Sequence, residues 1–250
     1  MAKYERPHKK NRRFLTVNQH VFPLACIARF ADADGRVSLH DLARSVERRA
    51  KPDDDIFCAK RAWDQRTERG MKKTEDEFQR LASKVIEGVL LEIGEAEKGV
   101  VDHFYALWHM RARHRTLPSQ EIQLNGVTGG GGLTRDQEET VEIKGGSFMR
   151  SGGKFVARHV NGIRLQMLSG DYADELQHKT RWGFIRAESG EFVVPDVPAH
   201  LMIPLTPRLC LISGGASGTI RQSNVAEINR IVRAASLEYF FARDLSSCPF

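Results

Sequence analysis

The chain has 250 residues and a net charge of +6, from 38 Lys and Arg against 32 Asp and Glu. Its ordinary apolar and charged fractions describe a globular protein, long enough to bury a core as one large domain or two small ones. No apolar run approaches the ~18 residues of a membrane span. The segment after Arg13 is interrupted by Asn18, Gln19, His20 and Pro23, so it does not read as a secretion signal.

The charge is unevenly placed. Residues 1–13 hold Lys3, Arg6, Lys9, Lys10, Arg12 and Arg13 against Glu5, a net of +5. Residues 1–16 therefore read as a basic, disordered arm ahead of a single α+β domain over 17–250. Lys9, Lys10, Arg12 and Arg13 are its candidate phosphate contacts, because each neutralised phosphate releases counterions. The plainer alternative is a solubilising terminus.

After the arm, Pro23 suits the first turn of a short helix, with Ile27 and Phe30 on one face. Asp32-Ala33-Asp34-Gly35 is a turn, and Arg36–Asp41 alternates as a strand does. Residues 44–73 are dense in charge, a solvated crossing anchored by Ile56, Phe57, Cys58 and Trp63. Thr74-x-x-Glu77 spells a capping box. Behind it Phe78, Leu81, Ala82, Val85, Ile86, Val89, Leu90 and Ile93 keep helical spacing. A second helix over roughly 96–114 turns Val100, Val101, Phe104, Tyr105 and Trp108 inward, and the short link Gly94–Glu97 makes the pair an αα-hairpin. Its end carries Arg111, Arg113, His114 and Arg115. Cations there complement the helix dipole, and they are also candidate phosphate ligands.

Leu117-Pro118-Ser119 and the Gly-rich 126–133 stretch bound a flexible connection, the best hinge in the chain. Thr134-x-x-Gln137 opens a further helix that Gly145-Gly146 closes. Another helix is expected from about Val156 to Leu168, followed by a polar stretch over 171–180. Gly183–Ala187 and Phe192–Val194 flank Glu188-Ser189-Gly190-Glu191, the pattern of a β-hairpin. Pro195 and Pro198 stop the second strand and set Asp196 at its end. A third apolar run, Leu209–Ile212, follows Pro204, Pro207 and Arg208. Asn224-x-x-Glu227 caps a last helix with Val225, Ile228, Ile231, Val232 and Ala235 facing the core, and Leu237–Ala242 returns as an edge strand. The architecture expected is α+β: an αα-hairpin plus further helices on a small, mainly antiparallel sheet.

No motif of known chemistry survives inspection. Glu142-Ile143-Lys144 has the E-x-K spelling of a metal-dependent nuclease strand. It falls inside a capped helix, where side chains at i and i+2 point apart. Neither Gly-rich loop, 129–132 or 213–219, has phosphate-loop or dinucleotide spacing. Arg13 and His20 spell an R-x6-H pair, but Pro23 begins a helix after His20. No nucleophile elbow surrounds Ser213, Ser217 or Ser223. Cys26, Cys58, Cys210 and Cys248 show no C-x-x-C pairing, so neither zinc nor a disulfide framework is indicated, and a reducing cytoplasm fits. His20, Asp196 and Arg208 remain, each beside a proline at an element boundary. They serve either to tie loops together or as a rim site.

The same residues carry a family resemblance. His20-x-x-Pro23-x-x-x-Ile27-x-x-Phe30-Ala31, then Asp34-Gly35-Arg36-Val37, resembles the opening H-x-x-P-x-x-x-L-x-x-F-A…D-G of bacterial domain-of-unknown-function family four-two-three-eight. Phe192–Pro198 and Pro204-Leu205-Thr206-Pro207-Arg208 are similar to its F-I-T-S-D-N-P and P-L-S-P-R segments, with Pro-Asp-Val-Pro where the family often has Ser-Asp-Asn-Pro. The resemblance implies a cytoplasmic bacterial α+β protein and no established activity. Two functions stay open. One is a nucleic-acid or nucleotide hydrolase with His20 as acid or base, Asp196 as orienter or ligand of a divalent metal, and Arg208 stabilising phosphate charge. The other is a non-enzymatic module that binds nucleic acid or a protein partner through the arm and Arg111–Arg115.

Overall fold

The computed structural model describes residues 4–116, 121–129 and 132–250, and among them the fold is α+β. In chain order the strands and helices are β1 (Asn18–His20), α1 (Leu24–Ala28), β2 (Val37–Asp41), β3 (Val46–Ala50), β4 (Cys58–Lys60), α2 (Gln65–Ile86) and α3 (Glu95–His114). There follow β5 (Ile122–Gln123), α4 (Arg135–Ile143), β6 (Met149–Arg150), β7 (Lys154–Phe155) and α5 (Ala157–Gln177). The chain finishes with β8 (Trp182–Ala187), β9 (Val194–Pro195), β10 (Met202–Thr206), β11 (Leu209–Ser213), β12 (Gly218–Ile220), α6 (Gln222–Ala235) and β13 (Tyr239–Ala242). No described helix is long and apolar enough to cross a membrane. Of the expected hinge, Gly130 and Gly131 lie outside the described residues, as do Leu117, Pro118 and Ser119.

The strands form four small ladders rather than one sheet, ordered β10-β11-β8-β12, β3-β2-β13-β9, β5-β7-β6 and β1-β4. Among the described residues only the β12–β8 pair is parallel. The expected hairpin between 183–187 and 192–194 is not made. β8 pairs with β11 and β12, whereas β9 pairs with β13 in another sheet. Nor is β13 an edge. It lies between β2 and β9, and all four of its residues are buried.

The helical hairpin is real, but its first helix starts at Gln65, nine residues before Thr74. Asp64 caps it, accepting from the backbone N–H groups of Arg66 (2.9 Å) and Thr67 (3.1 Å), so Thr74 and Glu77 fall in its interior. It also stops at Ile86, which leaves Val89 70% exposed rather than inward. Phe78, Leu81, Ala82 and Val85 are buried as their spacing requires. Phe78 stacks on Phe104 of α3 with ring centroids 3.5 Å apart. α5 runs past Leu168 to Gln177 and packs along α3. Gly162 permits its close approach to α2, since a Cβ there would collide with the Asp64 carboxylate and the Thr67 hydroxyl. Thr134 caps α4 through the expected capping box. α6 begins at Gln222 with Arg221 at its cap, not at Asn224.

The main core joins α1, α2 and α3 to the inner faces of β2, β10, β11 and β13. A smaller core lies between α6 and the outer faces of β8, β11 and β13. At the edge of the main core the buried Asp102 ties α3 to the start of β8. It takes hydrogen bonds from Lys98 (2.7 Å), Thr180 (2.6 Å) and the Trp182 indole (2.7 Å), so every polar group in that cluster is satisfied.

Candidate nucleic-acid interface

His20, Asp196 and Arg208 are placed by three different elements and do separate work. His20 ends β1 opposite Cys58, half-buried, with Nε2 3.2 Å from the Pro52 carbonyl. Burial pulls its pKa below the usual histidine value. Asp196 is buried after β9, and its two oxygens each accept a backbone N–H, from Leu237 and Glu238, both at 2.9 Å. Burial raises its pKa while those two bonds oppose the rise. Asp196 thus fastens the turn that leads into β13. Arg208 is exposed in the turn between β10 and β11, where its backbone N–H reaches the Thr206 hydroxyl. Among the described residues no hydrogen bond or ion pair joins any two of the three.

Two surface cavities are also built without them. One, of about 580 Å³, lies between α6 and the β8–β11–β12 ladder, with Ile185, Ile212, Ile220 and Ile228 in its lining. The other, of about 310 Å³, lies between Glu121, Leu133 and Glu138 on one side and the β6–β7 turn on the other. No group of three or more His, Cys, Asp or Glu side chains among the described residues is placed to hold a metal ion. The four cysteines are free and buried. Burial pushes the Cys26 thiol up to about 11 and the Cys58 thiol up to about 12, far from nucleophilic.

The basic end of α3 requires a correction. Arg111 is 2% exposed, pairs with Glu75 at 2.6 Å and lies over the Trp63 ring. Arg115, one turn later on the same inward face, donates to the Ile56 carbonyl, pairs with Glu238 at 3.1 Å and covers Tyr239. Both are desolvated and already neutralised, so neither offers a phosphate a cation. Arg113 alone of the three faces solvent, because two residues turn a helical side chain well over a quarter-circle away.

The arm is likewise not separate from the fold where it is described. Glu5 reaches Arg150 (2.6 Å), Arg158 (2.6 Å) and Arg135 (3.2 Å), and its carbonyl accepts from Arg61. Burial would raise the Glu5 pKa, but Arg158, then Arg150 and Arg135, outweigh it and hold the carboxyl at about 2. His8 N–H donates to Glu139, and Arg13 pairs with Asp136 at 2.7 Å. Lys10 and Arg12 are exposed. Lys9 sits in a short 3-10 turn, and its side chain lies outside the described set. These contacts belong to a wider ionic cluster. Its centre is Glu142, 2% exposed, whose Oε2 accepts from Arg61 (2.8 Å) and twice from Arg158 (2.9 and 2.7 Å). The E-x-K glutamate is therefore an anchor for two buried arginines, on a helix as expected.

A further basic feature was hidden in the charge-dense 44–73 stretch. Because α2 starts at Gln65, Arg66, Arg69, Lys73, Arg80 and Lys84 all belong to one helix. At 100° per residue they fall within about 60° of arc, on a stripe about 27 Å long. All five side chains are exposed, and none has an ion-pair partner among the described residues. Their neighbour Lys72, off the stripe, is paired to Asp76 at 2.9 Å. No acid of α2 falls within the arc, and Asp76 and Glu77 flank it, each about 20° outside. The stripe adjoins α4, where Gly145 approaches the Arg66 side chain, and α5, where Gln166 approaches Gly70. Thr16, at the end of the arm, exchanges hydrogen bonds with Gln65 at the head of α2. The exposed arm cations and the stripe are thereby joined through one short segment.

No protein-family model, curated protein or solved structure matches this chain.

Proposed function

We propose that this protein is a nucleic-acid-binding module without a catalytic step, with the solvent face of α2 as its phosphate-contacting surface and Lys10 and Arg12 as flanking cations. The observation that supports it is the unpartnered stripe Arg66–Arg69–Lys73–Arg80–Lys84. Five arginines elsewhere in the fold are engaged, since Arg61, Arg111, Arg115, Arg150 and Arg158 all meet carboxylates. Five free cations on one rigid helix form a local field that attracts a polyanion and costs the fold self-repulsion when nothing is bound. Such contacts position a backbone without reading its bases. A kinship with family four-two-three-eight, proposed on its two motifs, brings no activity of its own, so the reading rests on this surface.

The test is binding of labelled duplex and single-stranded oligonucleotides across a salt series. Five phosphate contacts give a log–log salt slope of about −4.5 for duplex and about −3.5 for a single strand. The Arg69→Glu/Lys73→Glu/Arg80→Glu variant should lose binding while its melting temperature stays within a few degrees, because all three side chains are solvated. Retained affinity in that variant, or a slope near zero, would refute the proposal.

A further inference from the structure

The three arginines that hold Glu5 come from separate places: Arg135 from the first turn of α4, Arg150 from β6 and Arg158 from the first turn of α5. Their terminal nitrogens converge on one carboxylate, at 2.6 to 3.2 Å. Arg150 and Arg158 are also committed to other acids. Arg150 uses its Nε and a terminal nitrogen on Glu138 and another on Glu121, and Arg158 uses two nitrogens on Glu142. The donors that Arg150 and Arg158 aim at Glu5 are thus spare donors of a framework that other carboxylates keep in place, whereas Arg135 is tied to the N-terminal segment, through Glu5 and the Arg6 carbonyl. The carboxylate itself is not sealed in. Side-chain exposure is 23% for Glu5, 25% for Arg150 and 41% for Arg135.

The segment that delivers Glu5 is weakly fastened. Between Tyr4 and Phe14, besides the Glu5 carboxylate, its ties to the other described residues are polar or ionic: Arg61 to the Glu5 carbonyl, Arg135 to the Arg6 carbonyl, His8 N–H to Glu139, and Arg13 to Asp136. Phe14 is 87% exposed, and Leu15 is the first fully buried apolar side chain. Ties of that kind are screened by salt and exchangeable.

We propose that Arg135, Arg150 and Arg158 form a phosphate-binding site that Glu5 occupies as an internal plug, and that a phosphate group displaces the N-terminal segment to fill it. A phosphate offers the same three donors more acceptor oxygens and more charge than a carboxylate does. The cavity of about 310 Å³ beside Arg150, lined also by Leu133, Met149, Ser151 and Lys154, leaves room for whatever carries the phosphate. The proposal deepens the nucleic-acid reading, since Lys10 and Arg12 ride on the displaced segment and a bound strand would draw it away. The site itself needs only phosphate.

The experiment compares the full-length wild type with Glu5→Gln and Glu5→Gln/Arg135→Ala, titrated with inorganic phosphate at constant ionic strength. Arg135 is the most exposed of the three, so its removal spares the fold. Glu5→Gln should bind roughly tenfold more tightly than wild type, since a tethered competitor at millimolar effective concentration has been removed. The double variant should lose that gain. Equal affinity in wild type and Glu5→Gln, or binding that persists unchanged without Arg135, overturns the proposal. If Glu5→Gln fails to fold, the wild type still decides: phosphate, but not chloride at equal ionic strength, should speed tryptic cleavage after Lys9, Lys10, Arg12 and Arg13. No acceleration overturns it. A 5′-phosphorylated oligonucleotide against its unphosphorylated twin identifies the source, with a gain for the former pointing to a strand terminus and none to free phosphate. The two readings fail separately. Oligonucleotide binding without phosphate binding removes the plug and keeps the α2 interface, whereas phosphate binding without oligonucleotide binding does the reverse.

Discussion

Removing the Glu142 carboxylate should be among the most damaging single changes in the molecule. Its Oε2 accepts three hydrogen bonds, one from Arg61 and two from Arg158, and the exposures of the three side chains are 2%, 2% and 5%. Burial pushes the Glu142 pKa up, but Arg158, then Arg61 and His159, overcome it and leave the carboxyl below its ordinary range. Glu142→Ala strands two guanidinium groups in a desolvated site. Breaking a buried pair in this way costs about 3–5 kcal/mol, more than the pair itself is worth against an apolar replacement. For a chain of this length that is a fall in melting temperature of roughly 6–20 °C. Glu142→Gln keeps an acceptor oxygen but no charge, so it should fall between Ala and wild type. Urea titration is the appropriate assay, because guanidinium would screen the interaction being measured, and the slope of the unfolding curve should not change. A triple replacement, Glu142→Leu/Arg61→Met/Arg158→Met, should recover much of the loss. A cost below about 1 kcal/mol for Glu142→Ala would refute the claim that the arginines depend on it.

Leu81→Ala should cost about 2–5 kcal/mol through lost burial and a cavity, whereas Val89→Ala, beyond the end of α2, should stay within about 0.5 kcal/mol; equal effects would mean the helix continues as its spacing suggested. Burial lowers the pKa of His20, His109 and His159, so the unfolded chain binds more protons and stability should fall as pH drops below about 6.5, the ordinary histidine value, towards their folded values. Asp196, raised by burial, contributes with the opposite sign at lower pH. The ring of His159 packs against Phe148 and Phe155 with both nitrogens unpartnered, so His159→Phe should flatten the melting-temperature profile between pH 5 and 7.5; an unchanged profile would show that this histidine is not the titrating group.

The arm shows how charge counting misleads. Six cations against one acid suggested a segment without a place in the fold, yet the lone acid is what docks it. Nothing local to residues 1–13 announces that Glu5 will meet Arg135, Arg150 and Arg158, which lie at least 130 residues away. Arg111 and Arg115 reverse the same error. They look like a surface cluster in sequence and are internal, because α3 is covered on the side they share.

The α2 stripe was missed for a different reason. The capping box at Thr74 is a valid helix start by local chemistry, and accepting it split Arg66, Arg69 and Lys73 from Arg80 and Lys84. Asp64 competes with it and prevails, because Gly162 lets α5 pack against the cap and Trp63 is buried beneath it. Two starts of similar local quality were separated only by tertiary contact. The available clue was that 66, 69, 73, 80 and 84 already keep helical spacing without reference to apolar residues.

By itself the sequence determined what depends on neighbours within a few residues. The apolar period of α3, the capping box of α4, the turn before β2 and the apolar runs of β8 and β11 all follow from backbone sterics and 3.6- or 2-residue repeats. Tertiary structure alone decided partners and faces. An apolar run specifies a strand but not its neighbour, so β8 and β9 parted into different sheets and β13 moved to the centre of one. Charge is the extreme case, because its effect depends on distance and desolvation, which sequence does not contain. Among arginines identical in the sequence, the fold buried Arg111 against Glu75, set Arg158 between Glu5 and Glu142, and left Arg69 and Arg80 exposed without a partner.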